Sequence, residues 1–371
     1  MSARVPYSET TMTDEPQRPG LLPSRRFLLR AGAATAALPL GFGMGGVRAW
    51  GPGPVPFDPG PICRPTAAEG AAGPLKPIKL AWNATAICTA AAPLAKERGI
   101  FAAHGLDVEF VNFGGSTEAL LEAIATGKAD AGIGMALRWL KPLEQGFDVK
   151  ITAGLHGGCL RLLGAKSAGI TDIAALKGKT IAISDHASPA KNFFALLLAK
   201  AGIDPETGVE WRPYPADLLN LAVEKGEAHA LADSDPRTWI WLKDPKFTEV
   251  ATNLSGDYAD RTCCVVAVRG SLIRNDRTAA TALTRAVLEA GHRVHADPED
   301  AARIFSGYGG RGSVEDLAAM LRSQHHGDRP VGTDLKRQLV LYGDELKQVN
   351  VLKRSTDTAK FAERVYADVL S

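Results

Sequence analysis

From Ile78 onward, short apolar runs alternate with segments whose apolar residues recur every three to four positions. The first pattern predicts strands and the second amphipathic helices. An opening series places strands at 78–82, 107–113, 130–135 and 149–155, with helices at 90–104, 116–126 and 137–145 between them. A second series follows, with strands at 180–184, 209–214, 229–232 and 247–254 and helices at 189–201, 217–225 and 237–242. One more apolar strand is predicted over 263–268, and everything beyond it reads as helix, at 277–296, 314–322, 334–348 and 358–370. Strands and helices alternating at these lengths predict an α/β fold built on parallel sheets with right-handed crossovers. The tail has no strands of its own and is expected to pack back on the first sheet. The pattern therefore divides into a discontinuous first lobe, 78–164 and 263–371, and a second lobe, 165–262, joined near 164–170 and 258–264. A ligand cleft is expected between them, at the strand C-termini.

Upstream, the pattern stops. Residues 50–77 are dense in Pro and Gly without apolar periodicity and read as a linker. Before them stands Ser24-Arg25-Arg26-Phe27-Leu28-Leu29-Arg30, then a Gly- and Ala-rich apolar run, then Val47-Arg48-Ala49. Paired arginines, a modest apolar run and a small-x-small end predict a twin-arginine export signal over 1–49. The run is too short and Gly-rich to span a bilayer, which takes about 20 apolar residues. The mature chain is thus expected to be soluble and periplasmic. At 45% hydrophobic and 23% charged residues its composition is that of a globular protein. A formal net charge of +2 gives no field for nucleic acid or a membrane surface. The five cysteines, Cys63, Cys88, Cys159, Cys263 and Cys264, follow no disulfide-framework spacing, so at least one free thiol is expected.

Several segments carry a family resemblance. The stretch from Ala91-Ala92-Pro93-Leu94-Ala95-Lys96-Glu97-Arg98-Gly99-Ile100 to Gly105-Leu106-Asp107-Val108 is one. Gly114-Gly115-Ser116-Thr117-Glu118, Gly127-Lys128-Ala129-Asp130-Ala131-Gly132 and Leu176-Lys177-Gly178-Lys179-Thr180 are others. Across about 78–270 the chain resembles the substrate-binding proteins of bacterial ABC importers for nitrate, sulfonates and taurine, the SsuA/THI5-like group. The resemblance implies a periplasmic-binding-protein type II fold: two α/β lobes that close on a small solute and hand it to a membrane permease and its ATPase. It implies a monomer with no nucleic-acid partner. An enzymatic relative in the group uses a cysteine-rich iron motif that is not matched here.

The candidate solute contacts lie where predicted strands end. The Gly114-Gly115-Ser116-Thr117 turn opens a helix, so Gly115, Ser116 and Thr117 offer N–H and hydroxyl donors to an anion, while Ser116 serves equally as a plain N-cap. In the second series Ser188 and Pro189 make a clean helix start. Lys191 and His186 beside them are either contacts or solvated surface residues. Arg138 presents a fork for an oxyanion or lies on a helix surface. Trp82 and Thr85 flank the end of the first strand, where the indole either walls the site or sits in the core. His156 is an oxyanion donor or a core histidine bonded to a carbonyl, and Asp233 accepts from a solute amine or caps a helix. The excess of cations predicts an anionic solute such as nitrate, an alkanesulfonate or taurine. Cys88, Cys159, Cys263 and Cys264 have no C-x-x-C or H-x-x-x-H context, so neither metal nor cofactor is expected. No nucleophile elbow, phosphate-binding loop or zinc-protease motif is present, so no catalysis is expected. A solute-sensing partner of a membrane receptor, or an exported enzyme on the same scaffold, are the alternatives.

Overall fold

The computed structural model describes residues 73–325 and 330–371. The expected signal (1–49) and most of the expected linker (50–77) lie outside the described residues. Along the chain, β1 (Lys76–Trp82), β2 (Leu106–Asn112), β3 (Ala131–Met135) and β4 (Val149–Gly157) come first. They are followed by β5 (Leu160–Ala165), β6 (Thr180–Ile183), β7 (Glu210–Pro213), β8 (Ala230–Ser234), β9 (Phe247–Thr252) and β10 (Thr262–Arg269). The helices of the first half are α1 (Ala91–Glu97), α2 (Ile100–Ala103), α3 (Thr117–Ala125) and α4 (Ala136–Glu144). Those of the second are α5 (Pro189–Lys200), α6 (Leu219–Glu224) and α7 (Arg237–Leu242). The tail holds α8 (Gly270–Asn275), α9 (Arg277–Ala296), α10 (Pro298–Gly307), α11 (Val314–Ser323), α12 (Gly332–Gln348) and α13 (Thr358–Val365).

The strands form two sheets of matching design, ordered β2-β1-β3-β10-β4 and β7-β6-β8-β5-β9. The first three strands of each are parallel, as the βα pattern predicts. The remaining pairings are antiparallel, which corrects the all-parallel expectation. The cause is connectivity. β5 and β10 each enter their sheet directly from the other one, without the helix that a parallel return requires. β10 lies between β3 and β4 with Cys264 to Val268 wholly buried, which explains its unbroken apolar run.

Two local expectations also shift. The helix predicted over 90–104 is broken at Gly99, whose φ of 67° is left-handed, into α1 and α2. β1 begins at Lys76, two residues before the apolar run, because its ladder with β2 extends to the Lys76–Leu106 pair. The tail packs on the first sheet, α9 against β2, β4 and β10 and α13 against β4.

The chain passes from the first sheet to the second at Gly158-Cys159, well before the expected 164–170, because Leu160 already pairs with Ser234. The first segment of the first lobe therefore stops at Gly157. The return passage runs through 253–261, and the two passages touch. A Cβ on Gly157 would stand 2.3 Å from the Ala259 carbonyl oxygen, and one on Gly158 (φ +70°) 2.3 Å from Leu254 Cδ2. Asn253 Oδ1 ties them together, accepting from the Cys159 N–H at 2.8 Å and the Leu160 N–H at 2.7 Å.

Candidate functional site

A cavity of about 210 Å³ lies between the C-terminal ends of the parallel strands of both sheets. Open α/β sheets place ligands there because the strand-to-helix turns leave N–H groups and helix starts unpaired with other backbone. From the first sheet come Asn83 just after β1, the Gly114-Gly115-Ser116 turn after β2, and Met135 and Arg138 at the β3–α4 junction. From the second come Asp185 after β6, Ser188 at the start of α5, Asp233 at the end of β8 and Arg237 in α7.

The turn after β2 is built by short side chains. Asn112 Oδ1 accepts from Gly114 N–H at 3.0 Å and Ala84 N–H at 3.2 Å, which draws the β1 and β2 ends together. Gly115 has φ +88°, and a Cβ there would come within 3.2 Å of the Asn83 amide. Ser116 caps α3, its Oγ accepting from Ala119 N–H at 3.2 Å.

Arg138 is buried, and Nη1 donates to the Gly115 carbonyl at 2.5 Å and to Thr117 Oγ1 at 2.9 Å. Its guanidinium carbon stands 5.3 Å from the Phe113 ring centre. Nε is buried with no hydrogen-bond partner among the described residues. Burial lowers the Arg138 pKa, opposed by the charges of Asp185 and Asp233. Across the cavity Asp185 Oδ1 is likewise buried and unpartnered, and burial raises that carboxyl above the usual range. Both residues line the same space, and each carries one buried polar atom without a partner among the described residues. Arg237 Nε donates to Asp233 Oδ2 at 2.6 Å, and Nη1 reaches Thr85 Oγ1 at 3.4 Å on the first-sheet side.

Of the residues singled out from sequence, Gly115, Ser116, Arg138, Ser188 and Asp233 line the cavity. Thr117 and Thr85 stand behind it, their hydroxyls engaged by Arg138 and Arg237. Trp82 does not reach it. The indole is buried against Phe110 and Tyr308, with centroids at 5.0 and 5.7 Å. His156 is also elsewhere, buried with Nε2 3.0 Å from the Cys88 carbonyl oxygen. His186 is exposed, and Lys191 is half-buried on α5 away from the lining, its pKa lowered by burial. The cation excess expected from sequence is therefore absent from the lining, where two arginines face two aspartates. Asn83, Asp185 and Arg237 join the site instead.

A family model described as NMT1/THI5-like matches residues 89–301, more than half of the chain. The chain belongs to the NMT1/THI5-like family. Solved structures share its architecture. This NMT1/THI5-like chain is similar to the alkanesulfonate-binding protein SsuA from Xanthomonas axonopodis pv. citri bound to MOPS, with a TM-score of 0.66 at 16% identity over 78% of this chain and 99% of that one. The periplasmic nitrate-binding protein NrtA from Synechocystis gives a TM-score of 0.67 at 17% identity, covering 80% of this chain and 87% of that one. A Candida albicans gene product with the generic periplasmic-binding-protein fold gives 0.64 at 16% identity, covering 79% and 97%. At these identities the likeness shows the fold, which is that of the periplasmic binding proteins. Curated protein sequences offer no significant match. No helix among the described residues is long and apolar enough to cross a membrane.

Proposed function

We propose that this NMT1/THI5-like chain is the solute-binding component of an ABC importer. In this reading it is exported by the twin-arginine route, works as a monomer in the periplasm, and delivers a small polar solute to a permease and its ATPase. The observation that carries the reading is the cavity between the strand ends of the two sheets, lined by Arg138 from one and Asp185 from the other. A solute that bridges them contacts both halves only when the halves are together, so its binding energy favours the closed arrangement. No step of bond chemistry is needed, and the protein binds without turnover.

The solute class follows from the donors. Arg138 and the helix starts at Ser116 and Ser188 favour an oxyanion, as in nitrate or an alkanesulfonate. Asp185 and Asp233 add acceptors, so a zwitterion such as taurine, with an amine opposite its sulfonate, satisfies both sides. At about 210 Å³ the cavity suits a small solute and falls below the range of about 300–1,000 Å³ for larger ligands.

Two tests address this reading. Calorimetry against nitrate, short alkanesulfonates and taurine should find one saturable ligand, and X-ray scattering at saturation with it should show a smaller radius of gyration. Unchanged dimensions at saturation, or tight binding of a purely cationic solute instead, would refute it. Separately, Arg25→Lys with Arg26→Lys should leave precursor in the cytoplasm. Normal periplasmic yield of that double variant would remove the twin-arginine route.

A further inference from the structure

We infer that Cys88, Cys264 and His156 form a binding site for one thiophilic metal ion, seated beside the passages between the sheets and separate from the solute cavity. The three ligands come from three places in the chain, with Cys159 and Cys263 as neighbouring thiols. Cys88 lies on the short turn Ile87–Thr89 after β1, and His156 near the end of β4. Cys159 is on the outward passage, and Cys264 with its neighbour Cys263 opens β10 after the return. All five are buried, and all four thiols are free of disulfides. Cys88 Sγ, Cys264 Sγ and a His156 ring nitrogen lie within 4.8 Å of one another. Cys159 Sγ is 3.4 Å from Cys263 Sγ, a second pair of thiols beside the three ligands.

Packing alone does not demand this arrangement. A buried cysteine is usually a small apolar filler, with no need to meet another. Here sulfurs from three separate segments converge beside an imidazole. A tetrahedral ion with sulfur at about 2.3 Å and nitrogen at about 2.0–2.1 Å holds its ligand atoms roughly 3.5–4 Å apart. The three ligand atoms all lie within 4.8 Å of one another, so small side-chain adjustments bring them to that spacing. The imidazole is already oriented, with Nδ1 3.3 Å from the Gly157 carbonyl oxygen and Nε2 3.0 Å from that of Cys88. A neutral imidazole donates one N–H only. One carbonyl takes that proton and the other ring nitrogen serves as ligand, the usual second-shell pattern of metal-bound histidine. Cys263 stays a thiol beside Cys159, with Asn253 Nδ2 3.5 Å from its sulfur. Binding then releases the protons of two thiols to water and ties the turn after β1 to β4 and β10.

The test uses the full chain, reduced and stripped of metal by chelation without oxygen, then titrated with Co²⁺ and with Zn²⁺. About one ion per chain should bind, with Co²⁺ giving a thiolate charge-transfer band that Zn²⁺ abolishes, and Zn²⁺ should raise the melting temperature. Cys88→Ser and Cys264→Ser should each weaken Co²⁺ binding at least ~tenfold, while Cys63→Ser, outside the described residues, should leave it unchanged. If the serine variants fail to fold, the wild-type spectrum still decides. Saturating Co²⁺ without a charge-transfer band overturns the site. So does undiminished Co²⁺ affinity in a folded variant carrying both Cys88→Ser and Cys264→Ser.

Discussion

Arg138→Ala should weaken binding of the solute identified by calorimetry by roughly 1.5–3 kcal/mol, the range for a hydrogen bond to a charged group. The affinity then falls on the order of tenfold or more. The guanidinium is the buried cation of the cavity's first-sheet lining, and no other cation among the described residues lines that side. Its removal also takes away a charge that opposes Asp185, while Asp233 keeps Arg237, so an anionic solute is repelled further. Arg138→Lys restores the charge but loses the planar fork, so it should recover only part of the loss. Melting curves must accompany the titration, because Nη1 also secures the Gly115 turn. Wild-type affinity in a folded Arg138→Ala protein would reduce this residue to a structural brace.

Asp235→Ala should be the most damaging change to stability, at about 3 kcal/mol or more, the lower end for breaking a buried ion pair. The carboxylate is fully buried and accepts from Arg161 Nε at 3.1 Å, Thr238 Oγ1 at 2.7 Å and Trp239 N–H at 3.1 Å. Burial pushes this carboxyl upward even with Arg161 beside it, so the pair owes its value to mutual dependence. Without Asp235, Arg161 on β5, between β8 and β9, keeps Glu249 and the face of Trp239 but loses its fully buried counter-charge. Replacing Arg161 and Asp235 together with apolar residues should recover much of the loss. Urea midpoints for the single and double variants check both statements. A single variant that unfolds at the wild-type midpoint would show the pair to be dispensable.

Most of the parallel strands and their helices were legible because an apolar run or alternation is followed by a periodic segment, although β7 (Glu210–Pro213) has no buried residue. β5 was not. Its run is separated from β4 only by Gly158 and Cys159, and Arg161 interrupts it with a charge whose partners lie far along the chain. Strand ends located the cavity, yet they did not say which of two neighbouring side chains enters it. Trp82 and Asn83 are adjacent, and alternation along β1 sends the indole to Phe110 and Tyr308 and the amide to the cavity. Arg237 follows Asp233 by four residues on the same junction and obeys the rule that singled out Arg138, so that signal was available. The thiol cluster was hidden for a different reason: its members come from separate segments that only the fold joins.

The late arrival of β10 sets an order on synthesis. A nascent chain that has emerged as far as Thr252 carries every strand of the second sheet, from Leu160 onward, while its first sheet still lacks the strand between β3 and β4. The half begun first is completed last, and until Thr262–Arg269 emerges two long backbone edges stand open there. A ribosomal product ending before Thr262 lacks the strand that closes that gap.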